Sequence, residues 1–313
     1  MGKIKTFFNL LKNNPKQIHK AFIDNFTKLP ISHLFSDKLY IKIQYKATFK
    51  RKLNLKNPTS FNEKLQWLKL YNRKPEYSTM VDKFEVKDYV ASIIGEQYIV
   101  PTLGVWDSFD EIDFESLPSK FVLKCTHDSG SVIICRDKSI FDKKSAKLKI
   151  EKKLKSNLFW HGREWPYKNV RPRIIAEPLM QDEEGELKDY KIMCFNGVAR
   201  CAFVCSDRFS EKGLHVTFFD RNWNVMPFER SFPSVKEGLP QPQNYKKMIE
   251  LSEILSKDIP FVRVDFYEID GQIYFGELTF FPGNGMEQFQ PEEWDYKLGE
   301  WIELTEIKME KVK

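Results

Sequence analysis

The sequence predicts a mixed α+β protein in which helices and strands alternate in groups along the chain. Three observations carry this. Residues 261–280 form two runs rich in Val, Ile, Phe, Tyr and Thr around Asp270-Gly271, the pattern of a β-hairpin. Ser60-Phe-Asn-Glu63 is a capping box that opens a helix carrying Leu65, Leu68 and Tyr71 on one face. Residues 121–125 and 132–135 are apolar runs flanking a polar turn at 126–131, which reads as strand, loop, strand.

The other elements follow in order. After the helix at 60–71, a second helix spans 78–95 and stops at Gly95; residues 98–105 read as a strand interrupted by Pro101, and the acidic stretch 107–118 as a connection. A lysine-rich helix occupies 143–155, and a strand over 173–180 bends at Pro178. Strands follow at 189–195, 198–205 and 215–219, then a helix at 245–255, the hairpin, and a closing helix at 294–309. The chain thus divides into a basic helical arm (1–58), a small mixed unit (59–118), a subdomain built on the glycine-containing turn (119–180) and a larger subdomain ending in the hairpin (181–313).

With 313 residues and 42% hydrophobic content the chain can bury a large core, and its 26 Phe, 12 Tyr and 7 Trp argue against disorder. The net charge of +6 is concentrated: residues 1–50 hold ten Lys and two acidic residues. Interleaved with Phe7, Phe8, Leu10, Leu11, Phe22 and Phe26, these lysines form either a basic amphipathic surface for an anionic membrane or a docking helix with a solvated face. No nucleic-acid reading module accompanies the charge. No stretch approaches the ~20 apolar residues of a membrane span, and the first residues are too polar for a secretory signal, so a cytoplasmic location is expected, with the arm either touching the inner membrane face or only packing on the protein. The odd set Cys125, Cys135, Cys194, Cys201 and Cys205 contains no Cys-x-x-Cys pair and reads as buried free thiols; His19, His33, His127, His161 and His215 lack zinc-ligand spacing.

Chemistry concentrates in the hairpin. Period-two alternation places Arg263 and Asp265 on one strand face and Glu277 and Thr279 on one face of the next. A two-residue turn at Asp270-Gly271 would pair Asp265 with Gly276 and turn Glu277 away, whereas a three-residue loop that includes Gln272 sets Asp265 opposite Glu277. The second register is expected. It yields an all-oxygen set suited to Mg²⁺, beside an arginine able to neutralise phosphate. The alternative is an Arg263 ion pair on a solvated face. Upstream, the turn His127-Asp-Ser-Gly-Ser131 has small residues whose amides can approach phosphates, and Lys124 on the preceding strand can reach the same anion; a simple hairpin is the alternative.

The order of these parts, with Glu177-Pro-Leu179 between them, resembles the ATP-grasp superfamily, and in particular its TupA-like branch, associated with teichuronopeptide and capsular polysaccharide synthesis. The residues carrying the likeness are Asp82-Lys83, Phe121-Val-Leu-Lys124, His127-Asp-Ser-Gly130, Arg163-Glu-Trp165, Ile174-Ile-Ala-Glu177, Asp189-Tyr-Lys191 with Phe195-Asn-Gly197, Arg263-Val-Asp265 and Glu277-Leu-Thr279, over roughly residues 59–305. The resemblance implies an ATP-grasp fold of two α+β subdomains clasping ATP. It implies ATP contacts by Lys83, Lys124, His127, Ser129, Gly130 and Asp189, with Glu177, Pro178 and Leu179 as the adenine-facing hinge. Lys191 and Arg263 become the catalytic cations, and Asp265, Glu277 and Thr279 the Mg²⁺ ligands. Thr279 stands where the superfamily usually has Asn, which puts the second metal's coordination in doubt. The implied reaction is amide formation through an acyl phosphate, joining an amino acid or amine to a uronic acid of a polysaccharide precursor. Arg163, Trp165 and Tyr167 form either an acceptor platform or a brace for the hinge. A glycosyltransferase of the same pathway is the alternative enzyme, weakened by the absence of any Asp-x-Asp pair, and a non-catalytic scaffold is a third reading.

Overall fold

The computed structural model describes residues 30–181, 189–206 and 213–304. The first 29 residues of the basic arm therefore lie outside the described residues, as do positions 305–309 of the expected closing helix. Two antiparallel sheets organise the rest. The smaller has the order β1-β4-β2-β3, with β1 at Gly104–Trp106, β2 at Phe121–Cys125, β3 at Ile133–Cys135 and β4 at Ile174–Pro178. The larger has the order β10-β9-β5-β6-β7, with β5 at Asp189–Phe195, β6 at Val198–Ser206, β7 at His215–Asp220, β9 at Phe261–Ile269 and β10 at Gln272–Thr279. A two-residue strand β8, Glu229–Arg230, pairs with β11, Phe289–Gln290.

Helix α1, Asp37–Phe49, is the described half of the arm; it buries Tyr40, Ile41 and Tyr45, so this part docks on the protein. Helix α2, Phe61–Tyr71, begins with the expected capping box: the Ser60 hydroxyl accepts from the Glu63 amide while the Glu63 carboxylate accepts from Ser60. Its apolar face packs beneath the large sheet.

The single helix expected over 78–95 is broken into α3, Glu76–Val81, and α4, Glu85–Ile94. Asp82 causes the break. Its carboxylate accepts from the Phe84 and Glu85 amides and so starts a new helix, while the Lys83 amide is given to the Thr126 carbonyl across the molecule. The expected strand at 98–105 is also shorter. Residues 96–98 form a 3₁₀ turn, Ile99 makes an isolated parallel bridge to Phe275 of the larger sheet, and Gly104–Trp106 pairs with β4, so the segment touches both sheets and its strand belongs to the smaller one, although the sequence placed it in the preceding unit.

Helix α5, Lys143–Leu154, packs Ala146 and Ile150 on Phe121, Leu123, Ile174 and Ala176 to make the smaller core. It is followed by a short helix α6, Phe159–Gly162. Helix α7, Tyr245–Leu255, covers one face of the large sheet with Met248, Ile249, Leu251 and Leu255. The closing helix α8 is Glu293–Glu300, ending before position 301. Its Gly299 lies against the start of α2, where a Cβ would approach the Thr59 carbonyl oxygen to 2.2 Å. The other face of the large sheet is left facing the small sheet and carries the charged residues.

Candidate active site

The hairpin reaches the expected pairing by a different route. Ile269 faces Gln272, so the turn has two residues, Asp270 (φ 51°) and Gly271 (φ 75°), rather than three. The register is corrected further on: a bulge between Phe275 and Glu277 leaves Gly276 outside the pairing and sets Glu277 opposite Asp265 and Thr279 opposite Arg263. A side chain at Gly276 would be crowded there, because a Cβ would lie 3.1 Å from the Asp265 carbonyl oxygen and 3.2 Å from the Tyr267 ring. On the other side of β9, Lys191 faces Asp265. The result is a row, Lys191, Asp265, Glu277, across three adjacent strands.

The row is an electrostatic network. The Arg263 Nε and Nη2 donate to the two Asp265 oxygens at 2.6 and 2.7 Å, and Nη2 also donates to Glu277 at 2.7 Å. Lys191 binds both Asp265 and Asp189. Burial alone would raise the Asp265 carboxyl, but Arg263 and Lys191 hold it below the usual range. Burial would likewise lower the Lys191 ammonium, and Asp265 and Asp189 keep it above. Burial, with the nearby Asp265 charge, pushes the Asp189 carboxyl up against the opposing pull of Lys191. The Thr279 hydroxyl lies 3.3 Å from the Glu277 carboxylate.

Opposite this row stands the glycine turn. Ser131 ties it down by accepting from the Cys125 amide at 2.8 Å and donating to Asp128. The Lys83 ammonium holds the Asp128 carbonyl, and Lys153 reaches the Ser129 carbonyl at 3.3 Å. Its tip is open: Gly130 has φ 84° and empty space where a Cβ would project. Lys124 lies beneath, 2.5 Å from Glu177.

Between turn and row lies a cleft of about 350 Å³. Lys83, Lys124, Ser129, Gly130, Glu177, Asp189, Lys191, Asp265 and Glu277 all line it. Sequence reasoning missed Lys87, which also lines it and holds Glu177 at 2.5 Å, as well as the apolar wall of Val86, Ile99, Val100, Tyr267 and Phe275. No local spacing signals Lys87, since Lys83 lies in the break before α4. Burial lowers the ammonium of Lys83 and of Lys87; burial would raise Glu177, but Lys124 and Lys87 hold its carboxyl low.

Two expectations are corrected, those for His127 and Arg163, and six other expected residues lie beside the cleft rather than in its wall. His127 is buried with Nε2 against the Lys153 and Ser156 carbonyls, so it supports α5 and does not reach the cleft. Arg163 is fully buried, stacked over Tyr40 and Trp160 at 4.2 and 4.6 Å and bonded to the Ser32 carbonyl; it anchors the arm and is closed to an acceptor. Pro178, Leu179, Trp165, Tyr167, Arg263 and Thr279 stand outside the cleft wall, although Tyr167 lies close enough to Arg263 and Glu277 to feel both charges.

The sequence profile of TupA-like ATP-grasp proteins matches residues 63–303. The chain belongs to the TupA-like ATP-grasp family. Solved ATP-grasp structures are distant from it. D-alanine–D-alanine ligase of Bacillus anthracis, complexed with ATP, is 14% identical over 64% of this chain and 54% of that one, with a TM-score of 0.37. The Helicobacter pylori D-alanine–D-alanine ligase is 12% identical over 72% and 59%, TM-score 0.41. N5-carboxyaminoimidazole ribonucleotide synthetase, as its ADP complex, is 12% identical over 79% and 58%, TM-score 0.41. This TupA-like chain therefore spans a little over half the length of those enzymes. No curated protein matches it.

The TupA-like site fits a hard divalent cation. Asp265 and Glu277 face each other and the Glu277 side chain is 43% exposed, while both Asp265 oxygens accept from Arg263 and one also from Lys191, so a bound cation would replace those charges at Asp265. Among the described residues there is no cluster of three or more metal-ligating side chains. Mg²⁺ does not require one, since it binds through one or two carboxylates and completes its shell with water and phosphate oxygens.

Proposed function

We propose that this protein is an ATP-dependent carboxylate–amine ligase that works through an acyl phosphate and attaches an amino acid or amine to a uronic acid of a surface or capsular polysaccharide precursor. The observation that supports it is the facing of the Lys191, Asp265, Glu277 row and the open glycine turn across one cleft.

ATP is read into the cleft with its phosphates between the Ser129-Gly130 amides and Lys83, Lys124 and Lys191. The adenine lies toward Glu177 and the apolar wall, where Pro178 and Leu179 continue the strand as hinge. Asp265 and Glu277, assisted by Thr279, would hold Mg²⁺, which supplies charge neutralisation for the phosphates. Lys124 and Lys87 now occupy the two Glu177 oxygens, so Lys124 must be released from Glu177 to meet phosphate. Arg263, held by Asp265 and Glu277 just outside the cleft wall, would stabilise the transferring γ-phosphoryl group on turning from those carboxylates.

A substrate carboxylate oxygen bonds to the γ-phosphorus and the bond to the ADP oxygen breaks. The amine nitrogen then bonds to the acyl carbon as the carbon–oxygen bond to phosphate breaks. Inorganic phosphate leaves and the nitrogen loses a proton. The cleft walls exclude water from the acyl phosphate in between.

The family association supports a polysaccharide substrate. The lysine-rich first 50 residues support a place at the cytoplasmic membrane face, although α1 is docked on the protein. No helix among the described residues is long and apolar enough to cross a membrane.

ADP release with Mg²⁺ across a matrix of uronic-acid glycans and amino acids tests the proposal. Turnover that needs both partners supports ligation. ADP formed with one acceptor and no amine, leaving a stable phosphate ester, makes the protein a kinase.

A further inference from the structure

The charged row of the large sheet runs on past the cleft. Directly opposed residues of antiparallel strands share a face, so Glu277, Asp265 and Lys191 are followed by Phe203 on β6, opposite Lys191, and by Phe218 on β7, opposite Phe203. The cleft itself stops at Lys191, since no residue of β6 or β7 lines it. Over the two phenylalanines lies Arg230 of β8, its guanidinium carbon 4.3 Å from the Phe203 ring centre and 5.1 Å from that of Phe218. The Arg263 guanidinium stands 5.7 Å from the same Phe203 ring. Both arginines therefore meet one side chain of the charged face, at the position next in line after Lys191.

Arg230 is the less satisfied of the two. Arg263 donates to Asp265 and Glu277, whereas the Nε and Nη1 of Arg230 have no hydrogen-bond partner among the described residues, although the residue is only 6% exposed. Its ion pair with Glu287 closes to 3.3 Å at Nε without forming a hydrogen bond, and the Glu287 side chain is 24% exposed. Burial, helped by the Arg263 charge and opposed by Glu287, lowers the Arg230 guanidinium. Buried donors of a cation are costly to leave unmet. With aromatic rings against its face, the guanidinium keeps its edge for an anion, and that planar fork matches a carboxylate.

Position narrows the role. The apolar wall that suits adenine includes Phe275 of β10, and Lys191 of β5 closes the same cleft at its phosphate end. The next place along the row is the one under Arg230. A carboxylate arriving there meets repulsion from the triphosphate, and a buried guanidinium offsets it. We propose that Arg230 receives the donor carboxylate, the group to be phosphorylated, and that Glu287 holds the guanidinium until that carboxylate displaces it. This rests on the ligase reading above and adds the residue that reads the charge of the uronic acid. Arg163, expected to face an acceptor, is turned to the arm instead.

Calorimetry on the full chain loaded with Mg²⁺ and β,γ-imido-ATP tests this, with D-glucuronate, D-galacturonate and trigalacturonate as probes and glucose, galactose and inorganic phosphate as controls. At least one uronate is expected to bind the wild type, and the neutral sugars are not. Arg230→Gln keeps the rise in melting temperature with nucleotide, which shows that it is folded, and binds that uronate about tenfold to a hundredfold more weakly. Glu287→Gln removes the competing carboxylate and binds it about threefold or more tightly, an effect of opposite sign that a purely structural arginine would not produce and that does not depend on the Arg230 variant folding. Equal uronate affinity in Arg230→Gln, or unchanged or weaker affinity in Glu287→Gln, overturns the proposal. So does a wild type that takes up nucleotide but binds no uronate, or binds only inorganic phosphate. A wild type that does not answer to nucleotide marks failure of the ligase reading itself, and this subsite falls with it.

Discussion

Gly276 shows how much of the site depends on one residue without a side chain. The two-residue turn at Asp270-Gly271 would by itself turn Glu277 to the far face, and only the bulge at Gly276 brings it back opposite Asp265. Sequence reasoning reached the right pairing through the wrong loop. Alternation shows which face a residue occupies but not where a strand gains an extra one, although a glycine inside an otherwise continuous strand was the available signal. Gly276→Val forces a Cβ against the Asp265 carbonyl; a loss of about 1–3 kcal/mol in urea unfolding is expected, with a larger proportional loss of Mg·ATP affinity by calorimetry. Asp265 carries a pH consequence. Its folded carboxyl titrates below the usual 3.8, so the unfolded chain binds more protons in that interval. The stability it contributes is present above 3.8 and is lost as pH falls through the lower folded value. Urea midpoints followed through that acid range should drop less steeply in Asp265→Asn than in the wild type. At neutral pH that variant is expected to be destabilised by about 3–5 kcal/mol, because Arg263 and Lys191 lose their shared partner.

The elements legible in the sequence were those with a local cause. The α2 capping box, the α7 span at 245–255 and the strands of the large sheet all rest on side chains within a few positions of one another. Those misread also had distant causes. The break after α3 combines the local Asp82 cap with a Lys83 amide that pairs with Thr126, over forty positions away, and β1 pairs because β4 offers it an edge. Two substitutions separate local from tertiary stabilisation. Ser60→Ala removes the cap and should cost about 1 kcal/mol. Ile150→Ala empties a fully buried position between α5 and β2 and should cost about 2–5 kcal/mol. If denaturant midpoints reverse that order, packing of α5 is not what holds the small sheet.

Over the whole molecule, the cleft draws on three parts of the chain: Lys83, Val86 and Lys87 from the N-terminal unit, Lys124 and Glu177 from the small sheet, and Lys191, Asp265 and Glu277 from the large one. The acidic row and the glycine turn could be found by their chemistry. Lys87 could not be placed, because its role depends on how α4 stands against β4. Lys87→Met should weaken nucleotide binding about tenfold while leaving the fold intact, seen as a smaller melting-temperature rise with Mg·ATP than in the wild type. Glu277 is the best probe of the central claim, since its side chain is partly exposed and its removal leaves the Arg263 to Asp265 pair in place. Titration of Mg·ATP into the full chain by calorimetry should give saturable binding that chelation of the metal abolishes and that Glu277→Gln weakens at least about tenfold. Absence of any binding heat in the wild type, or equal affinity in Glu277→Gln, would contradict the account.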